Sequence, residues 1–113
     1  MHVILTPEED KLYINCIQAY GIDAQLEQYA EECLEAALAV RKYLRAKKSK
    51  DHKKLISTSE ELCGEIIDTM NMSIQMKLAM MDYNSFNEIW NFKINRQINR
   101  VNKILNPISE TNE

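Results

Sequence analysis

The stretch Asp23-Ala-Gln-Leu26-Glu-Gln-Tyr-Ala30-Glu-Glu-Cys33-Leu-Glu35-Ala-Ala37-Leu-Ala-Val40-Arg-Lys-Tyr-Leu44 decides the fold. Leu26, Ala30, Cys33, Ala37, Val40 and Leu44 recur at i, i+4, i+7, i+11, i+14 and i+18. That is the period of a helix with one buried face, and we read the helix as running over 23–47. Inside it, Glu32-Cys-Leu-Glu35 sets two carboxylates three residues apart, on one side of the helix and one turn from each other. Further on, Glu65-Ile-Ile-Asp68 repeats the arrangement.

Neither acidic pair has a cation four residues to either side. The neighbours are Gln28, Glu31, Ala36 and Ala39 for the first, and Glu61, Gly64, Thr69 and Met72 for the second. A single such pair is usually solvated surface charge. Two of one geometry, on helices able to fold back on each other, ask for a counter-charge, and a hard cation that takes oxygen ligands supplies it.

Outward from these pairs, the rest of the chain also reads as helix. Thr6-Pro7-Glu8-Glu9 gives a capping residue, a proline at the first helical position and the glutamate of a capping box. Leu12, Tyr13, Cys16, Ile17 and Tyr20 form an apolar stripe read as core, and Gly21 ends that helix, over 7–20. Five lysines between Lys47 and Lys54 read as a basic loop over 47–56. It is either plain solvated chain or an electropositive lip that draws in an anion. His52 within it reads as a surface residue.

A third helix is expected over 58–81. Leu62, Ile66 and Met70 lie on its apolar line, and its five methionines (Met70 to Met81) serve as core filling or as an adaptable pocket wall. Gly64 inside it costs about 1 kcal/mol relative to alanine and either permits close packing or is tolerated. Ser85 and Glu88 offer a capping box for a fourth helix over 86–105. Its Lys93, Arg96, Arg100 and Lys103 form a basic stripe, a solvated face or a seat for phosphates or an acidic partner. Pro107 stops that helix, and the tail 108–113 is expected to fray. The expected fold is therefore all-α, four-helix bundle-like, in one domain spanning 1–113.

The bulk numbers agree. With 113 residues, 45% apolar, 27% charged and a net charge of −3, the chain suits a globular domain with no general case for binding nucleic acid or membrane. No apolar run is long enough to span a bilayer, and the N-terminus does not read as a signal peptide. Cys16, Cys33 and Cys63 form no C-x-x-C pair, and buried thiols in a reducing cytoplasm are the expectation. Two glycines cannot write a phosphate-binding glycine loop. Any nucleotide would have to be held by side chains and metal.

Glu31-Glu32-Cys-Leu-Glu35-Ala-Ala, the basic helix end Arg41-Lys42-Tyr43-Leu44-Arg45, and Glu65-Ile-Ile-Asp68 together resemble the MazG-like all-α nucleoside triphosphate pyrophosphohydrolases, in their compact single-domain form. The resemblance covers residues 23–100. It implies a Mg²⁺-dependent cut (Mn²⁺ as a substitute) between the α and β phosphates of a nucleoside triphosphate, giving the monophosphate and pyrophosphate. It implies Glu32, Glu35, Glu65 and Asp68 as metal ligands, with Glu32 or Glu35 orienting the attacking water. Asn71, Lys93, Arg96 and Arg100 are the implied substrate contacts, and a cytoplasmic homo-oligomer, dimer or tetramer, is the implied assembly. The partners expected are the nucleotide and further copies of the chain, with no membrane and no nucleic acid polymer. Two other classes compete. One is a non-catalytic helical interaction module. The other, a di-iron bundle, needs Glu-x-x-His motifs that His2 and His52 do not provide.

Overall fold

The computed structural model describes residues 5–107. Among them are four helices, α1 (Pro7–Tyr20), α2 (Ile22–Ser49), α3 (His52–Met80) and α4 (Tyr83–Leu105), and no strand. The fold is all-α and bundle-like. The expected tail at 108–113 lies outside the described residues. The chain divides into two compact units, one up to Met80 and the other from Met81 onward.

In the first unit α1, α2 and α3 all pack on one another. The start of α1 forms as its sequence dictates. Thr6 Oγ1 accepts from the Glu9 N–H at 3.2 Å, and the Glu9 carboxylate accepts from the Thr6 N–H at 3.3 Å. Gly21 then separates α1 from α2 with φ +84° and ψ 153°, a conformation open in practice only to glycine. Its N–H still donates to the Ile17 carbonyl at 2.9 Å, closing α1. Tyr13 is the buried anchor of α1, and its hydroxyl donates to Asn71 Oδ1 on α3 at 2.9 Å. Burial, then the charges of Glu9 and Cys16, hold this phenol above its usual pKa, so it stays a donor.

The frame of the unit is the α2–α3 hairpin. The expected basic loop is mostly helix, because α3 begins at His52, six residues before the expected start at 58. Asp51 is the reason. Its Oδ1 accepts from the N–H groups of Lys53 and Lys54 at 3.0 and 3.2 Å, which is what a helix N-terminus requires. Ser49 finishes α2 by donating to the Ala46 carbonyl at 2.8 Å and accepting from the Asp51 N–H at 3.3 Å. The reversal itself takes only Lys50 and Asp51, with Lys50 in the left-handed region at φ 59°.

The buried face of α2 differs from the expected one. Leu26, Ala30, Cys33, Ala37, Val40 and Leu44 are exposed, Leu44 at 48%. The face against the rest of the unit is Ile22, Gln25, Tyr29, Glu32, Ala36, Ala39, Tyr43 and Ala46, each buried or half-buried. These positions alternate spacings of three and four, the 3.5-residue repeat of a coiled-coil seam. On α3 the matching line is Leu55, Thr58, Leu62, Glu65, Thr69, Met72 and Met76. Ala39 is 1% exposed and Ala46 4%. Their small side chains let the two helices lie close together. The physical reason for the difference is competition between two heptad lines on one helix. Composition favours the more apolar line as the inner one, yet the line with alanines and an acid is inside.

Three smaller corrections follow from the same burial pattern. Leu12 and Tyr20 of the α1 stripe are exposed, and Ile66 of the α3 line is 46% exposed. Cys33 and Cys63 are exposed thiols instead of buried ones, and Cys16 is half-buried. Gly64 has open space where a side chain would stand, so close packing does not require it.

The second unit is α4. Its cap is Asp82, not the expected Ser85–Glu88 box: Asp82 Oδ1 accepts from the Ser85 N–H at 2.8 Å. Those hydrogen bonds hold the Asp82 carboxyl below its usual pKa. Phe86 and Trp90 stack one turn apart, with centroids 5.6 Å apart and rings 23° from parallel.

Candidate metal centre

The two acidic pairs meet at the middle of the α2–α3 seam. Carboxylate oxygens of Glu32, Glu65 and Asp68 lie within 4.8 Å of one another. Glu32 and Glu65 are inner positions of the two heptad lines, half-buried, while Asp68 stands at the exposed edge. The helices place them this way because the short turn fixes the register. The Thr69 hydroxyl, hydrogen-bonded to the Glu65 carbonyl of its own helix at 2.8 Å, also reaches the Glu32 carbonyl on α2 at 3.3 Å. That sets Thr69 level with Glu32, and one turn along puts Ala36 level with Glu65. A methyl group opposite a carboxylate leaves room beside it.

The polar accounting inside the seam is incomplete. Glu32 Oε1 accepts from Gln28 Nε2 at 2.9 Å. Glu32 Oε2 and Glu65 Oε2 are buried and have no hydrogen-bond partner. Lys42 Nζ pairs with Glu61 Oε1 at 3.2 Å, outside the trio. Desolvation, then the negative charges of Glu35, Glu32, Asp68 and Glu61, push the Glu65 pKa up. Buried carboxylate oxygens facing each other are costly. Two things relieve that cost, a proton or a cation. Carboxylate oxygens alone, with no sulfur or imidazole among them, suit a hard cation such as Mg²⁺.

Three of the four expected ligands are therefore together. Glu35 is not part of that trio. It is exposed, yet near enough that its charge acts on Glu65. Asn71 holds α1 to α3 through Tyr13, a structural bond that the expected role in binding substrate did not foresee. Lys93, Arg96 and Arg100 belong to the second unit. There Phe92, Asn95, Arg96, Asn99, Arg100 and Lys103 line one shallow face, with Arg96 over the Phe92 ring at 5.8 Å. The sequence marks Ala36 and Thr69 as neighbours of the acids, with Ala36 small enough for a close approach, but not the level pairing of Thr69 with Glu32 and Ala36 with Glu65. Their signal was available: each lies four residues after one acid and level with the other in an antiparallel hairpin.

No family model matches the chain, and no curated protein or solved structure matches it. Among the described residues, no helix is long and apolar enough to cross a membrane.

Proposed function

We propose that the chain is a Mg²⁺-dependent nucleoside triphosphate pyrophosphohydrolase. The observation that carries the reading is the converging trio Glu32, Glu65 and Asp68, with two buried carboxylate oxygens that have no hydrogen-bond partner among the described residues. The two pairs also fit the E-x-x-E and E-x-x-D pattern of the MazG-like enzymes. In this reading the trio holds the metal. An ion bound there would neutralise charge on the phosphates and help activate the attacking water. Glu35, exposed beside the trio, orients the attacking water and accepts its proton. Water attacks the α phosphorus, the bond from that phosphorus to the bridging oxygen breaks, and pyrophosphate leaves with the bridging oxygen. The first unit lacks the bulk to cover its own outer helix faces, so the active form is a homo-oligomer.

Pyrophosphate release, measured across common and modified nucleoside triphosphates with Mg²⁺ or Mn²⁺, tests the proposal. Glu65→Gln should lower turnover on the order of a thousandfold while leaving the helical circular dichroism unchanged. No release from any triphosphate by well-folded protein would sink the enzyme reading.

One observation favours a second reading, a non-catalytic interaction module. The apolar line Leu26 to Leu44 on α2, joined by Leu34 at 66% and Leu38 at 59% exposure, is a surface suited to another helix. The two readings part on metal. An enzyme of this kind gains thermal stability as Mg²⁺ is added, and a plain helical adaptor does not.

A further inference from the structure

We propose that the closed end of the α2–α3 hairpin is a separate binding notch for a compact phosphoryl anion, of the size and charge of pyrophosphate. Eight of the fourteen residues from Arg41 to Lys54 are lysine or arginine and one, Asp51, is acidic, in a chain whose net charge is −3. More than half of the chain's fourteen basic residues are gathered in this one place.

Part of that charge has a local explanation. Lys47 and Lys48 stand in the last turn of α2, where cations favour the helix dipole. Lys53 and Lys54 do not share it. They occupy the first turn of α3, which carries no acid, and there a cation opposes the dipole. Asp51 caps this start, yet two cations placed against the dipole beside that cap are the kind of broken local rule that marks a functional position.

The shape adds a second, independent observation. Lys42, Arg45, Ala46, Ser49, Lys54 and Thr58 line a concavity of about 330 Å³, at the small end of the range for ligand sites. Its floor is Ala46, 4% exposed. The hydroxyls of Ser49 and Thr58 already donate to the Ala46 and Lys54 carbonyls. Lys42 is paired with Glu61. That leaves Arg45 and Lys54, with no carboxylate partner among the described residues, as the cationic heads on either wall. An arginine fork opposite a lysine suits phosphate oxygens. A notch closed on two sides by helices favours a compact anion over a flat polymer or a membrane surface.

The notch is distinct from the acidic trio. Thr58 precedes Glu65 by seven residues, about 10 Å of helix at 1.5 Å per residue. Binding there does not require the trio to hold a metal, so the test is run in a chelator. Inorganic pyrophosphate is titrated into the full chain at low salt, followed by amide NMR shifts and calorimetry. Saturable binding is expected, with shifts centred on Arg45, Ala46, Lys54 and Thr58. Arg45→Gln and Lys54→Gln should each weaken it by about tenfold, and Lys48→Gln, outside the notch, should leave it unchanged. Three results overturn the proposal: no saturable binding, equal weakening by Lys48→Gln and Lys54→Gln, or tight binding of DNA or anionic vesicles that pyrophosphate does not displace. Because the chelated protein is the sample, these outcomes are independent of whether the trio supports catalysis.

Discussion

Two lines run the length of α2, and they have exchanged the roles their compositions suggest. Leu26, Ala30, Cys33, Ala37, Val40 and Leu44 face outward, while Gln25, Glu32, Ala36, Ala39 and Ala46 face inward. Burial here follows proximity before hydrophobicity. Alanines let α3 approach, and that approach is what brings Glu32 against Glu65. The outer line has the apolar side chains of a core and, within its own unit, no role in one. That exposed line is the face the proposed oligomer would cover.

The comparison breaks most directly with one substitution made on each line. Ala39→Leu should overpack the inner seam and destabilise the chain by about 1–3 kcal/mol, read as a lower denaturation midpoint. Ala37→Leu, two residues away on the outer line, should stay within about 0.5 kcal/mol of the parent at concentrations where the chain is monomeric. Equal losses would mean that the lines are not inner and outer.

A second pair concerns the cover on the outer line. Val40→Glu together with Leu44→Glu should leave helicity intact and shift sedimentation toward the single chain, because burying two unpaired carboxylates in an interface costs several kcal/mol. Unchanged sedimentation would show that this line is not the interface.

The inner line is sharpened by pH. The raised Glu65 pKa means that the folded chain holds this proton more tightly than the unfolded chain does. Its contribution to stability is complete below the ordinary glutamate range and is lost as pH rises through the raised folded-state value. Melting of metal-free protein should therefore soften across that window, and Mg²⁺ should offset the loss at neutral pH. A melting temperature that rises over the same window, without metal, would contradict the site's electrostatics.

The smallest effect is on the outside of α3. Gly64→Ala meets no neighbouring atom and should stabilise the chain by about 1 kcal/mol. Destabilisation there would reveal a close neighbour that the unit by itself does not contain.

Much of this was legible in the residues. Thr6, Pro7 and Gly21 announced α1 and its end, and the acid spacing announced the meeting of Glu32, Glu65 and Asp68. The inner line of α2 was not legible, because periodicity identifies a face without saying which neighbour covers it. The start of α3 was hidden for a different reason. Five lysines suggested solvated loop, and the residue that overrules them, Asp51, acts through one hydrogen-bonding oxygen. Glu35 followed the i, i+3 rule onto the same side as Glu32, but the seam is narrow and only the residue on its axis is drawn in.

The two-residue reversal at Lys50 and Asp51 makes the hairpin a ruler. With no slack in the turn, the alignment of the carboxylates is a matter of counting residues along each arm. One residue added between Ala36 and Ser49 would swing Glu32 by about 100° around its helix, scattering the trio and turning Ile22, Tyr29 and Ala36 out of the seam with it. Seven added to both arms would restore the facing pairs and move them about 10 Å farther from the tip. Length changes in this hairpin are therefore tolerable only in matched sevens, and the gap between its acidic middle and its basic end can be reset in steps of that size.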